Sequence, residues 1–299
     1  MITTVQPFLN RCDLLGEGIL CLPDNEGLAW VDILGKKLMM SDMAGDNLRV
    51  FDQPDEIGAV VPAIADKLVL VRRNTVVGFD PQTGRTHELW TAADIEPATN
   101  RFNDAAVDPF GNLWVCSMDF DAQLPTGALY RLTPSGTATV MATGFRCLNG
   151  PAFSPDGHTI YVGDTMGGQI LAFDHDPDLE TLQNRRVHID FGPFDGLPDG
   201  MTVDAQANLW VCQVTSGRIG CFDPQGHKLK SIAVPVPIVT SCCFGGADLT
   251  TLYVTTARII LDDVDLAAYP NSGSIYRFED AGIGLVPNKF GKIFERQLT

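Results

Sequence analysis

Glu17, Asn103, Asn149, Asp199 and Ser241 stand 11, 10, 11, 10 and 11 residues before Leu28, Leu113, Ile160, Leu209 and Leu252, each of which opens a short β-rich run. Four of the five carry the side-chain oxygens that a hard divalent cation takes, two as carboxylates and two as amides. A second reading stands beside this one. Asn149-Gly150 and Asp199-Gly200 are also turn dipeptides, and a repeated turn would share a phase as a repeated ligand does. Other chemistry is not signalled. There is no G-x-S-x-G elbow, H-E-x-x-H pair or Walker loop. The five histidines, at 87, 158, 175, 188 and 227, are scattered near turns and read as surface residues.

A repeat must position these side chains. Leu28-Ala-Trp-Val31, Leu68-Val-Leu-Val71, Leu113-Trp-Val115, Ile160-Tyr-Val162, Leu209-Trp-Val211 and Leu252-Tyr-Val254 begin 40, 45, 47, 49 and 43 residues apart. A second strand signal follows in each of several units, as in Gly127–Leu132 and Gly273–Phe278, and turns such as Asp108-Pro-Phe-Gly111 and Ser154-Pro-Asp-Gly157 punctuate them. A period near 45 with several short strands per unit is the pattern of a propeller, and fits a β-sandwich less well. The prediction is an all-β, six-bladed β-propeller over residues 1–299, a single domain, in which equivalent positions of successive blades ring a central channel and form a metal site there. Leu179–Arg186 is the one stretch expected to make a short helical turn.

Composition limits the partners. The formal net charge of the 299-residue chain is −16. So acidic a surface repels phosphate backbones and anionic headgroups, which argues against nucleic acid and membrane. The longest apolar runs, 59–65 and 68–71, fall far short of the ~20 residues that cross a bilayer, and Met1–Asn10 has no leader pattern. Eight cysteines without a C-x-x-C read as free thiols in a reducing cytoplasm, with Cys116 and Cys212 buried and Cys242 and Cys243 facing opposite ways on a strand.

Gly16-Glu-Gly18, Asn100-Arg-Phe-Asn-Asp104, Leu148-Asn-Gly150, Gly196-Leu-Pro-Asp-Gly-Met201 and Thr240–Gly246 together resemble the senescence marker protein/gluconolactonase family, also called regucalcin-like, over about Leu15 to Phe278. The resemblance implies a six-bladed propeller that hydrolyses a sugar lactone to the aldonic acid. It implies metal ligands at Glu17, Asn149 and Asp199 and substrate contacts at Arg101 and Asn103. Asp121, in the loop after Met118, is expected at the substrate as part of a lid. Calcium, zinc, magnesium, manganese or ferrous iron serves different members. Many members follow the Gly-Glu-Gly with Pro and a nearby Trp, where this chain has Ile19 and Leu20, so packing at the channel mouth departs from the pattern.

Three protein ligands without Cys or His leave positions open for water and substrate, as a catalytic metal needs. The cation is expected to polarise the lactone carbonyl, with Asp199 as base and water on the metal as the rival. A phosphotriesterase-like hydrolase and a non-enzymatic calcium-binding regulatory protein are the alternatives. The expected partner is a small-molecule sugar lactone; its identity and the oligomeric state stay open.

Overall fold

A computed structural model describes residues 5–291 apart from 66, 178–180, 193 and 195. The chain forms six antiparallel sheets, each built from strands consecutive in sequence. Their innermost strands are Gly16–Cys21, Ile57–Pro62, Asn100–Val107, Leu148–Phe153, Leu197–Val203 and Val239–Gly245. Each packs on the next, and the sixth packs on the first, so the sheets are blades closed about an axis. The predicted six-bladed propeller is what the chain adopts.

The core follows from that closure. Buried apolar side chains gather in layers between adjacent blades rather than in one central mass. Ala29, Val31 and Leu38 meet Val60, Leu70 and Phe79 between blades one and two. Trp210 and Cys212 meet Phe244 and Val254 between blades five and six. The Leu-Trp-Val strands supply fully buried Trp30, Trp114 and Trp210. Each indole needs an acceptor in a dry layer, and Asp13, Asp108 and Asp204 accept from them at 2.9, 2.8 and 2.9 Å. Asp108 and Asp204 also take the backbone N–H groups of the turn that follows, which explains the recurring Asp before a Gly or Ala turn.

The chain ends reinforce the ring. Blade six contributes three strands, and the N-terminal segment completes it, with Leu9 and Ile275 exchanging backbone hydrogen bonds of 3.2 and 3.0 Å. Near the other end, Ala205 N–H donates to Ile283, Asn288 Nδ2 to Val107 and Phe290 N–H to Pro62. The segment from Ile283 to Phe290 thus crosses the ends of several blades, and Leu285–Asn288 line the channel there.

Two expectations are corrected. The suggested turn at Leu179–Arg186 is replaced by an outer strand, Thr181–Asp190, because it pairs along Gln169–Asp176; positions 179 and 180 lie outside the described residues. A short helix, Asp263–Ala268, capped by Asp262, stands instead in the last inter-strand link. His175 is not a surface residue: it is 2% exposed, edge-on to Trp114, with Nδ1 3.0 Å from the Gly157 carbonyl. The cysteines agree with expectation. All eight are free, Cys116 and Cys212 are buried, and Cys242 and Cys243 enter different inter-blade layers. Among the described residues no helix is long and apolar enough to cross a membrane.

Candidate functional site in the central channel

All six innermost strands carry one extra residue at the same height. Glu17 pairs with Val31 but Leu20 with Ala29; Asn149 pairs with Gly163 but Ala152 with Tyr161; Pro198 pairs with Gln213 but Met201 with Val211. The strands of blades two, three and six slip likewise at Gly58, Asn103 and Thr240–Ser241. A bulge locally re-aims its side chains, and six in register place the singled-out residues in one ring. Asn149-Gly150 and Asp199-Gly200 therefore lie inside strands, and the turn reading of both dipeptides is overturned. The glycines that follow have a local reason. Gly150 has φ 36°, and a Cβ there would come within 3.0 Å of the Met201 backbone nitrogen; at Gly200 it would come within 2.7 Å of the Thr240 carbonyl.

The ring is buried. Glu17 and Asn149 are 5% exposed, Arg101 and Asn103 6%, and Asp199 8%. Arg101 Nη1 donates to Asn103 Oδ1 at 2.6 Å, and Asn103 Nδ2 donates to Asn149 Oδ1 at 2.7 Å and to the Leu148 carbonyl at 2.8 Å. Asn149 Nδ2 donates to Thr165 Oγ1 at 2.8 Å. Glu17 Oε2 accepts from Gly18 N–H at 2.8 Å, and its carboxyl feels the charge of Asp199. The structure thus brings Glu17, Arg101, Asn103, Asn149 and Asp199 together. Asp121 stands apart, exposed on the hairpin between the second and third strands of blade three. Its neighbour Phe120 does reach the ring, with the Arg101 and Arg73 guanidinium carbons 5.8 and 5.5 Å from its centroid.

One carboxylate that lines the channel cavity, Asp104, is not among the residues singled out in the sequence. Asp104 accepts from Ala105 N–H and Gly150 N–H, both at 2.7 Å. At its phase the other blades with named ring residues have Gly18, Gly150, Gly200 and Cys242, so the charge itself was the available signal. Asp104 lines a channel cavity of about 200 Å³ whose remaining walls include Val61, Ala152 and Met201. A second set missed is the support behind Asn100, where Glu96 accepts from Asn100 Nδ2, Ser117 Oγ and Tyr130 Oη at 2.5, 2.6 and 2.6 Å.

The electrostatics are one-sided. Burial first, then the charge of Asp104, pushes Asp199 up to about 8. Burial raises Asp104 to about 6. Burial, with Asp199 and Asp104 nearby, holds Glu17 well above the usual carboxylate range. Arg101 is the cation whose charge acts on both Glu17 and Asp199. Burial pushes the Cys147 thiol, beside Asn149, up to about 12, so it is a neutral neighbour and not a thiolate donor. Three buried carboxyl groups with excess negative charge and an all-oxygen donor set fit a hard divalent cation. Among the described residues no three His, Cys, Asp or Glu are grouped to hold a metal. Asp104 has its oxygens on the Ala105 and Gly150 N–H groups, which leaves the carboxyl groups of Glu17 and Asp199 and the amide of Asn149 among the other buried oxygen-bearing side chains at this height.

The family model described as the SMP-30/gluconolactonase/LRE-like region matches residues 15–258. Regucalcin of Danio rerio is 31% identical over 276 residues, 91% of this chain and 93% of that protein. Pentonolactonase of Haloferax volcanii is 30% identical over 289 residues, 94% of this chain and 96% of that protein. The crystal structure of a calcium-binding protein, regucalcin, from Agrobacterium tumefaciens superposes with a TM-score of 0.91 at 26% identity, covering 96% of this chain and 97% of that one.

Proposed function

The chain belongs to the SMP-30/gluconolactonase/LRE-like family, and on that premise we propose that it hydrolyses a sugar lactone to the aldonic acid, using one divalent cation bound by Glu17, Asn149 and Asp199. The observation that carries this reading is the convergence of those three side chains, on bulges of three different blades, beside Arg101 and Asn103.

When bound, the cation supplies Lewis-acid polarisation of the ester carbonyl and offsets the buried negative charge. Asp199 accepts the proton of the attacking water as the water oxygen bonds to the carbonyl carbon. The ring C–O bond then breaks, and the proton is returned to the departing ring oxygen. Burial and the charge of Asp104 raise Asp199 in the absence of a cation, and a cation held by the same carboxylate would lower its basicity again. Arg101 and Asn103 bind the hydroxylated ring and hold its ester against Asp199, their own orientations set by the contact between them. Asp121 contacts the substrate from the rim, on the hairpin whose Phe120 covers Arg101.

Calcium is the first cation to test, because the Agrobacterium relative is described as calcium-binding; zinc, magnesium, manganese and ferrous iron are the others. A calcium-binding regulatory role would use the same ring without turnover, and a phosphotriesterase would use it on a phosphorus ester. Free thiols throughout suit a reducing cytoplasm. A panel of aldonolactones and phosphotriesters, with released acid titrated, separates the three readings. Acid release from lactones above the uncatalysed rate supports the proposal, and turnover confined to phosphotriesters, or none, contradicts it.

A further inference from the structure

Thr165 lies just beyond the ring, at the start of the 3-10 turn Thr165–Gly167 in blade four. It is buried, its N–H donates to the Cys147 carbonyl, and Asp164 caps the turn by accepting from Gly167 N–H. Its hydroxyl does two things at once. It accepts from Asn149 Nδ2 at 2.8 Å and donates to the Pro198 carbonyl at 2.8 Å. Pro198 immediately precedes Asp199 on the next blade.

The polarity of this chain of hydrogen bonds is forced from both ends. A guanidinium only donates, so the Asn103 atom facing Arg101 is its oxygen. Asn103 therefore turns its NH₂ toward Asn149, which must present oxygen. From the other side, the Pro198 carbonyl only accepts, so the single Thr165 proton goes to it. The lone pair left on Thr165 must accept, and the Asn149 atom facing it is the NH₂. The two constraints agree, although an asparagine amide is nearly symmetric in shape and can otherwise flip. Cys147 Sγ, 3.7 Å from Asn149 Nδ2, is too weak an acceptor to fix the rotation alone.

We propose that Thr165 is a positioning residue that sets the rotation of the Asn149 amide, so that oxygen and not NH₂ faces the cation, and that couples this to the backbone carrying Asp199. The inference rests on the metal reading above. A hydroxyl that merely ties blade four to blade five would leave the amide, and so the cation, unaffected.

The test is calorimetric titration of the chelator-stripped, full-length protein with calcium alone and manganese alone. Thr165→Val keeps the shape and removes the hydroxyl; Thr165→Ala removes it without placing a methyl group against the amide, and serves should the valine variant not fold. Outer partners of metal ligands carry about 10–100-fold in affinity, so both variants should bind that much more weakly. Thr165→Ser, which keeps the hydroxyl, should stay near wild type. Unchanged affinity in the folded valine or alanine variant, whatever the melting temperature in chelator, overturns the proposal. So does an equal loss in serine, which would assign the effect to the methyl group. Wild-type protein that binds neither ion is titrated with zinc, magnesium and ferrous iron in the same way, and binding of none of the five removes the metal reading itself and this proposal with it, an outcome recognisable because no substitution is involved.

Discussion

Asn103 Nδ2 lies 2.7 Å from Asn149 Oδ1, across the boundary between blades three and four. One side chain is proposed to touch the sugar and the other the cation. Arg101, tied to Asn103 at 2.6 Å, is the next member of the line. Substrate orientation and cation binding are therefore supported by a shared set of hydrogen bonds, although the groups come from different blades.

Removing Arg101 should separate the two roles. Arg101→Ala deletes the substrate-side end of the line, while the bond from Asn103 Nδ2 to the Leu148 carbonyl still orients Asn103 and so leaves Glu17, Asn149 and Asp199 in place. We expect kcat/KM on the preferred lactone to fall by about 10²-fold, the scale of a lost orienting contact, with metal content near wild type. Elemental analysis alongside initial rates checks this; loss of the metal as well would give Arg101 a structural role.

Asp199→Asn tests the base. An amide oxygen can still coordinate, and the position lies inside a strand at a bulge, where Asn is tolerated. The variant should fold and keep part of its metal, while turnover falls by about 10²-fold or more. Near-normal turnover would remove Asp199 from proton transfer.

The legible and illegible parts of the molecule divide along a physical line. The Leu-Trp-Val strands were visible because buried inter-blade layers demand apolar runs at a fixed spacing, and the ring residues because a blade repeats its phase. Asn149-Gly150 and Asp199-Gly200 are ambiguous because these dipeptides mark turns, whereas here Gly150 takes a left-handed φ within a strand and Gly200 leaves no room for a Cβ, and strand pairing decides between the two. His175 was misread because its burial depends on Trp114, one blade away. Thr165 left no trace, since Asp164-Thr-Met-Gly-Gly reads locally as a turn and its partners lie 16 and 33 residues off. Asp121, taken from resemblance, lies at the rim outside the buried ring.

The carboxylates predict how calcium protection depends on pH. Asp199 rises from 3.8 to about 8 and Asp104 from 3.8 to about 6, and Glu17 shifts the same way. A carboxyl group whose folded value is raised favours the folded state below its unfolded value, and this contribution is lost as pH climbs through the folded value. Between about pH 4 and about pH 8 the metal-free site therefore becomes steadily less favourable, while competition between protons and the cation eases. The difference in melting temperature between calcium-loaded and chelated protein should grow across that window; other titrating groups cancel in the difference. A difference that is flat or shrinking contradicts the site.

Asp108→Ala probes the scaffold away from the ring. It strips acceptors from Trp114 Nε1, Asn112 Nδ2 and two turn N–H groups in a fully buried position. Leaving several buried donors unsatisfied should cost about 2–4 kcal/mol, read as a lower denaturant midpoint with metal affinity preserved. A loss under about 1 kcal/mol would mean that water replaces the carboxylate.

The central claim is that one cation in this ring drives lactone opening. Its most direct test is the initial rate of acid release from a preferred aldonolactone by chelator-stripped protein, titrated with each of the five candidate cations and compared with Glu17→Ala under the same conditions. The account predicts a rate near background without metal, recovery saturating at one ion per chain for at least one cation, and little recovery in the variant. Full activity in the stripped protein, or equal recovery in Glu17→Ala, would contradict it.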